Sequence, residues 1–234
     1  MSELYVLLVS ALSLGVIHTL LGPDHYLPFI VLSKARNWTQ TRTLWITFIS
    51  GVGHVAGSVI LGLIGIAMGL SVSRLEAIES SRGSIVGWML MAFGLLYMIY
   101  GIYTYYRKGS HFHLPALLRP KSIRHSDLHL AQNELAETDA GRLTPWILFL
   151  IFVFGPCEVL IPMLIYPAAA HSGLGIFLVA LVFGIATVGT MLLVVLLGYK
   201  GFSMLRFKGR EYQLHLFAGG IILLAGVAMQ FLGL

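Results

Sequence analysis

The chain has 234 residues, is 57% hydrophobic and only 11% charged, and has a mean hydropathy of +0.86. Soluble domains average about 45–50% apolar and about 25% charged residues, so a water-soluble fold fits poorly, and the useful unit is the spanning helix of about 20 apolar residues. The net charge of +5 is no nucleic-acid footprint, because the basic residues fall in gaps between apolar runs.

Continuous apolar character predicts six spans. The first covers about Leu4 to Ser33 and is interrupted by Gly22-Pro23-Asp24-His25; it follows Glu3, without the basic start of a cleaved signal, and is expected to be retained. The second covers about Leu44 to Leu70 and the third about Ser84 to Tyr106, ending in an aromatic cluster. A polar segment, 107–144, follows and is too charged for lipid. The fourth covers about Pro145 to Ala170, interrupted by Gly155-Pro156-Cys157-Glu158. The fifth runs from about Leu174 to Tyr199 and the sixth from about Leu214 to Leu234.

Thirteen Lys and Arg residues lie in the odd-numbered loops against two, Arg74 and Arg82, in the even ones. The positive-inside rule then puts the odd loops in the cytoplasm of a cell (inner) membrane, with both termini outside. Arg74, Glu76, Glu79 and Arg82 read as a solvated connector, and His111, His113, His125 and His129 as incidental residues of a cytoplasmic linker.

A shift of 133 positions lays Gly22-Pro23 on Gly155-Pro156 and also aligns Gly51 with Gly184, Gly65 with Gly198 and Gly87 with Gly220. With three spans per unit the second unit enters the membrane in the opposite sense. The expected fold is therefore an all-α membrane protein of two inverted three-helix repeats, 1–106 and 145–234, with broken first and fourth helices.

Proline removes a backbone donor and glycine relaxes the dihedral cost, so each motif opens a spanning helix. Lipid cannot satisfy the freed groups, and such breaks persist where they line a polar interior. Asp24, His25, Cys157 and Glu158 follow the two prolines; His18 lies two helical turns before His25, and His54 lies inside the second span. Ionisable groups at this depth mark a pathway or a site. Histidine, carboxylate and thiol together suit a first-row transition-metal ion rather than Mg²⁺ or Ca²⁺. Each also has a plainer role: helix-to-helix hydrogen bonding for His54, packing for Cys157, proton carriage for Glu158.

His18-Thr19-Leu20-Leu21-Gly22-Pro23-Asp24-His25 resembles the early-helix signature of nickel/cobalt permeases, and Phe48 to Val59, with His54 at its centre, resembles their later histidine segment. The resemblance extends to urease-maturation membrane proteins, sulfite/taurine-type exporters and the lysine-exporter superfamily. It implies a secondary transporter, not an enzyme, moving a dication by alternating access with possible use of protons. Nickel or cobalt comes first, with zinc, manganese and iron as alternatives, on His18, Asp24, His25, His54, Cys157 and Glu158. The ion is then cargo rather than cofactor, and the partners are the bilayer and, optionally, a second copy of the chain. The first acidic residue of the permease signature is missing and its two histidines are one residue further apart here. An exporter of small sulfur oxyanions on the same scaffold is one alternative. Gly155-Pro156-Cys157-Glu158 also resembles the Pro-Cys helix of membrane thiol–disulfide carriers, giving a thiol-redox component as another. The single cysteine excludes a two-thiol relay inside the chain.

Overall fold

A computed structural model of the protein describes residues 2–109, 139–157, 159–169, 172–204 and 211–232. The described residues form helices, without a strand: α1 (Ser2–Leu21), a 3₁₀ turn (Pro23–His25), α2 (Leu27–Ala35), α3 (Gln40–Ala67), α4 (Val72–Gly109), α5 (Asp139–Phe154), α6 (Leu160–Ala169), α7 (Gly173–Met204), and α8 (Glu211–Val227), which closes in a π turn (Ala228–Leu232). Five helical segments among them are long and apolar enough to cross a bilayer, and α5 adds a shorter apolar helix. The first and fourth predicted spans are indeed broken where Gly-Pro falls, into α1 and α2 and into α5 and α6. The histidine-containing loop residues 111–129 lie outside the described residues.

The turns have local causes. Past the end of α3, Gly69 adopts φ +65°, and the amides of Leu70 and Gly69 return to the carbonyls of Gly65 and Ile66 at 2.9 and 3.0 Å. Asn37 does the same after α2 at φ 51°, with Trp38 N–H donating to Ser33 O at 2.8 Å. Both satisfy last-turn carbonyls by the Schellman pattern. Thr39 then starts α3 by accepting from the Arg42 amide at 3.3 Å.

One expectation fails. The third span does not begin near Ser84: α4 starts at Val72 and takes in Arg74, Glu76, Glu79 and Arg82. Arg74 and Glu76 stay exposed, but Leu75, Glu79, Val86 and Leu90 are buried on one stripe of that helix. A rise of about 1.5 Å per residue puts Arg82 roughly 15 Å in from the helix start. Hydropathy averaging counts each charge against the span and does not see that two of them pair.

Helix contacts are made through small residues, as expected where lipid supplies no hydrophobic drive. A Cβ on Gly94 would lie 2.4 Å from Leu223 N, and one on Gly219 would lie 2.6 Å from Met98 N, so α4 and α8 meet backbone to backbone. On the α3–α7 seam a Cβ on Gly51 would meet Val188 Cγ2 at 3.3 Å, and one on Gly184 would meet Val55 Cγ1 at 3.3 Å. Buried Phe29, Leu32, Leu148, Met191 and Ile222 join α2, α5, α7 and α8 in one core.

Gly94→Val should force α4 off α8 and destabilise the detergent-solubilised protein by about 1–3 kcal/mol. Gly189→Ala, where nothing lies within 4 Å, should leave it unchanged or more stable. Thermal unfolding of the two purified variants checks this.

Candidate metal centre

The α1 break exists because Pro23 cannot donate to the turn before it. The chain instead makes a 3₁₀ turn, with His25 N–H donating to Gly22 O at 3.1 Å and Tyr26 N–H to Pro23 O at 3.4 Å. This swings His25 inward under His18, which sits in the last turn of α1. The third imidazole, His54, is near the middle of α3 and packs beside Gly155 in the second break. Ring centroids are 4.8 Å apart for His18 and His25, 5.1 Å for His25 and His54, and 6.5 Å for His18 and His54. One ligand nitrogen from each of the three lies within 4.8 Å of the others.

Their hydrogen bonds decide which nitrogens face inward. His54 Nδ1 lies 3.2 Å from Phe152 O, and His25 Nδ1 lies 3.2 Å from Gly22 O and 3.2 Å from Asp24 Oδ1. A carbonyl only accepts, so in the neutral rings Nδ1 carries the proton and Nε2 keeps its lone pair. Nε2 of both His25 and His54 is buried and makes no hydrogen bond within the described residues. Metal-ligating histidines have this arrangement, one nitrogen tied to a carbonyl or carboxylate and the other bare. Asp24 Oδ1 is the carboxylate partner of the His25 ring.

Cys157 is fully buried on the edge of the site, its Sγ 3.9 Å from His18 Nε2. Glu158 lies outside the described residues. A cavity of about 10 Å³ opens between Asp24, His25, His54, Phe152 and Gly155, on the order of a single water-sized body. Val86, Leu90 and Ile151 line it as well, whereas His18 and Cys157 do not.

Reading the sequence missed two functional neighbours. Glu79 and Arg82 form an ion pair, and Arg82 donates to Val153 O and Gly155 O at 3.4 and 3.3 Å. Cys157 N–H donates to Glu79 Oε2 at 3.1 Å. Opposite charges three apart on a helix were the available signal. A separate polar group forms where the Arg36 guanidinium lies over the Tyr97 and Tyr100 rings and Tyr97 bonds His215 at 3.0 Å.

Residues 26–228 match the family described as the cytochrome C biogenesis protein transmembrane region. The chain belongs to that family. No curated protein and no solved structure gives a significant match. The nickel/cobalt permease and sulfite/taurine-type exporter resemblance is therefore corrected. It rested on two short stretches around His18 to His25 and His54, whereas the family match runs over residues 26–228. Broken helices with polar residues at the break are a solution that membrane scaffolds of different chemistry share. The match begins at Tyr26, so His18, Asp24 and His25 lie outside it.

Asp24→Asn should keep the fold and lower Zn²⁺ affinity by about 10–100-fold, the usual effect of removing a group that orients a ligand. Competition titration against a chromophoric chelator measures it.

Proposed function

We propose that the protein is a membrane component of the thiol-redox, cytochrome c biogenesis class that works through a metal–thiolate centre. A transition-metal ion would sit on His18, His25 and His54, with Cys157 as the fourth ligand. The observation carrying this reading is the convergence of three imidazoles within 4.8 Å, two of them with buried, bare Nε2 atoms. Bonds of about 2.0–2.1 Å in tetrahedral geometry separate neighbouring donors by about 3.3 Å, so each ring need close by only about 1 Å. A histidine-rich set with one thiolate suits Zn²⁺ or Cu⁺. Asp24 and the thiolate would offset the ion's charge in a medium that tolerates little of it.

Family membership shifts the weight from ion transport towards thiol chemistry, and transport is not part of the proposal. With one cysteine per chain, electrons cannot pass through an internal disulfide. A second reading follows from the family: the Cys157 thiolate attacks a disulfide on a separate protein, forming a mixed disulfide and releasing one partner thiolate. The burial of Cys157 disfavours that step and favours metal ligation.

The scaffold we assign is a pair of inverted three-helix units with both termini outside. The reciprocal contacts of Gly51 with Val188 and Gly184 with Val55 support it, because the 133-residue shift exchanges one contact for the other. The thirteen-to-two distribution of basic residues supports the orientation and the inner-membrane location.

Anaerobic titration with Co²⁺ as an optical probe should give one ion per chain and a thiolate-to-cobalt charge-transfer band. His25→Ala and His54→Ala should abolish binding, and Cys157→Ser should remove the band while leaving weaker binding. Only deprotonated ligands coordinate, so occupancy should fall as pH drops below the ordinary imidazole value of about 6.5. Failure of the wild-type protein to bind Co²⁺, Zn²⁺ or Cu⁺ would sink the metal centre. A mixed disulfide trapped on metal-free wild-type protein, absent in Cys157→Ser, would establish the second reading instead.

A further inference from the structure

The second break poses a problem that the first solves with its own residues. Where α5 ends, carbonyls point out of the helix without intrahelical partners, and the amides that begin the next segment point the other way. Both ends are met from a different helix. The Arg82 guanidinium lies at the carbonyl end, donating to Val153 O and Gly155 O. The Glu79 carboxylate lies at the amide end, accepting from Cys157 N–H at 3.1 Å. The Arg82 cation matches the carboxyl pole of α5, and the Glu79 carboxylate takes the Cys157 amide in the link before α6. The two also close on each other, so neither is an isolated charge in the membrane. Gly57 permits the approach, since a Cβ there would lie 2.7 Å from Val153 O and 3.6 Å from the Arg82 guanidinium.

We infer that Glu79 and Arg82 are positioning residues that clamp the second helix break and hold the Cys157 thiol against His18. The inference rests on the proposed metal–thiolate centre for its purpose, but not for its test. A hydrogen bond to the amide of Cys157 fixes the backbone from which the thiol projects. That bond ties the segment 155–157 to α4 from the amide side, as Arg82 does from the carbonyl side at Gly155 O, and loss of either would let the thiol swing away from the histidines.

Cys157 is the only cysteine of the chain, so N-ethylmaleimide labelling of the purified full-length protein in nanodiscs reports this one atom. Glu79→Ala should raise the labelling rate by at least about tenfold through local opening. Glu79→Gln retains an acceptor for the Cys157 amide and should stay within about threefold of wild type. Arg82→Ala should match Glu79→Ala, with Arg82→Lys between, because an ammonium cannot fork to two carbonyls. In Co²⁺-loaded protein, Glu79→Ala should lose the thiolate band while the histidine-bound ion remains. Labelling of Glu79→Ala at the wild-type rate would overturn the inference, and so would equal acceleration by Ala and Gln, which would indicate general loosening. If the wild-type protein binds no Co²⁺, the metal centre falls while the labelling comparison still decides whether the clamp exists.

Discussion

Everything distinctive in this structure follows from the cost of an open backbone in lipid. A continuous helix satisfies its own amides and carbonyls, and a broken one must find other partners inside the protein. Among the described residues two spanning segments are broken. At the first break the partners are local: the 3₁₀ turn closes on Gly22 O and Pro23 O, and the Tyr26 hydroxyl donates to Leu20 O at 3.3 Å. At the second, Gly155 N–H reaches Phe152 O and Leu160 N–H reaches Cys157 O, while α4 supplies the Glu79–Arg82 pair. Two of the carbonyls used in this way also orient the imidazoles. Gly22 O takes His25 and Phe152 O takes His54. The breaks therefore do more than admit polar residues; they set which nitrogen of each ring faces its neighbours.

That local geometry depends on how tightly the long helices pack. Glu79 and Arg82 reach the second break only because α4 is fixed along α8 by contacts with no room for a side chain at Gly94, Gly219 or Gly226. His54 reaches the first break because α3 lies against α5 and α7 through Gly51, Gly53 and Gly57. Packing of this kind is driven by close contact rather than by exclusion of water. Its precision lies in glycine positions far from the imidazoles.

How much of this was legible in the sequence differs by feature. The long spans and both breaks were, because hydropathy and Gly-Pro each have a direct physical consequence. His18, His25 and His54 were legible from depth and spacing. The contact of Asp24 with His25 Nδ1 was not, because sequence position says nothing of side-chain direction. Glu79 and Arg82 were misread because a charged run at the edge of an apolar one looks like a loop; their burial becomes affordable only when the pair and the helix break meet in three dimensions. The family was misread for a related reason. A few polar residues at a break are shared by unrelated chemistries, whereas the family match extends over residues 26–228.

The family and the site pose a joint constraint. A member of a thiol-redox class with a single cysteine cannot store two electrons as an internal disulfide. In the proposed reading its thiol would act with a second group. The structure offers Cys157 no exposed surface, but it does offer three imidazoles, the nearest with its Nε2 at 3.9 Å. A small cavity lies beside two of them, bordered by Asp24, His25 and His54. A bound metal ion lowers the thiol's proton affinity and uses its lone pairs. Metal occupancy and thiol reactivity would then exclude each other at Cys157. Ligation of a metal, unlike an internal disulfide, needs only one sulfur from the chain.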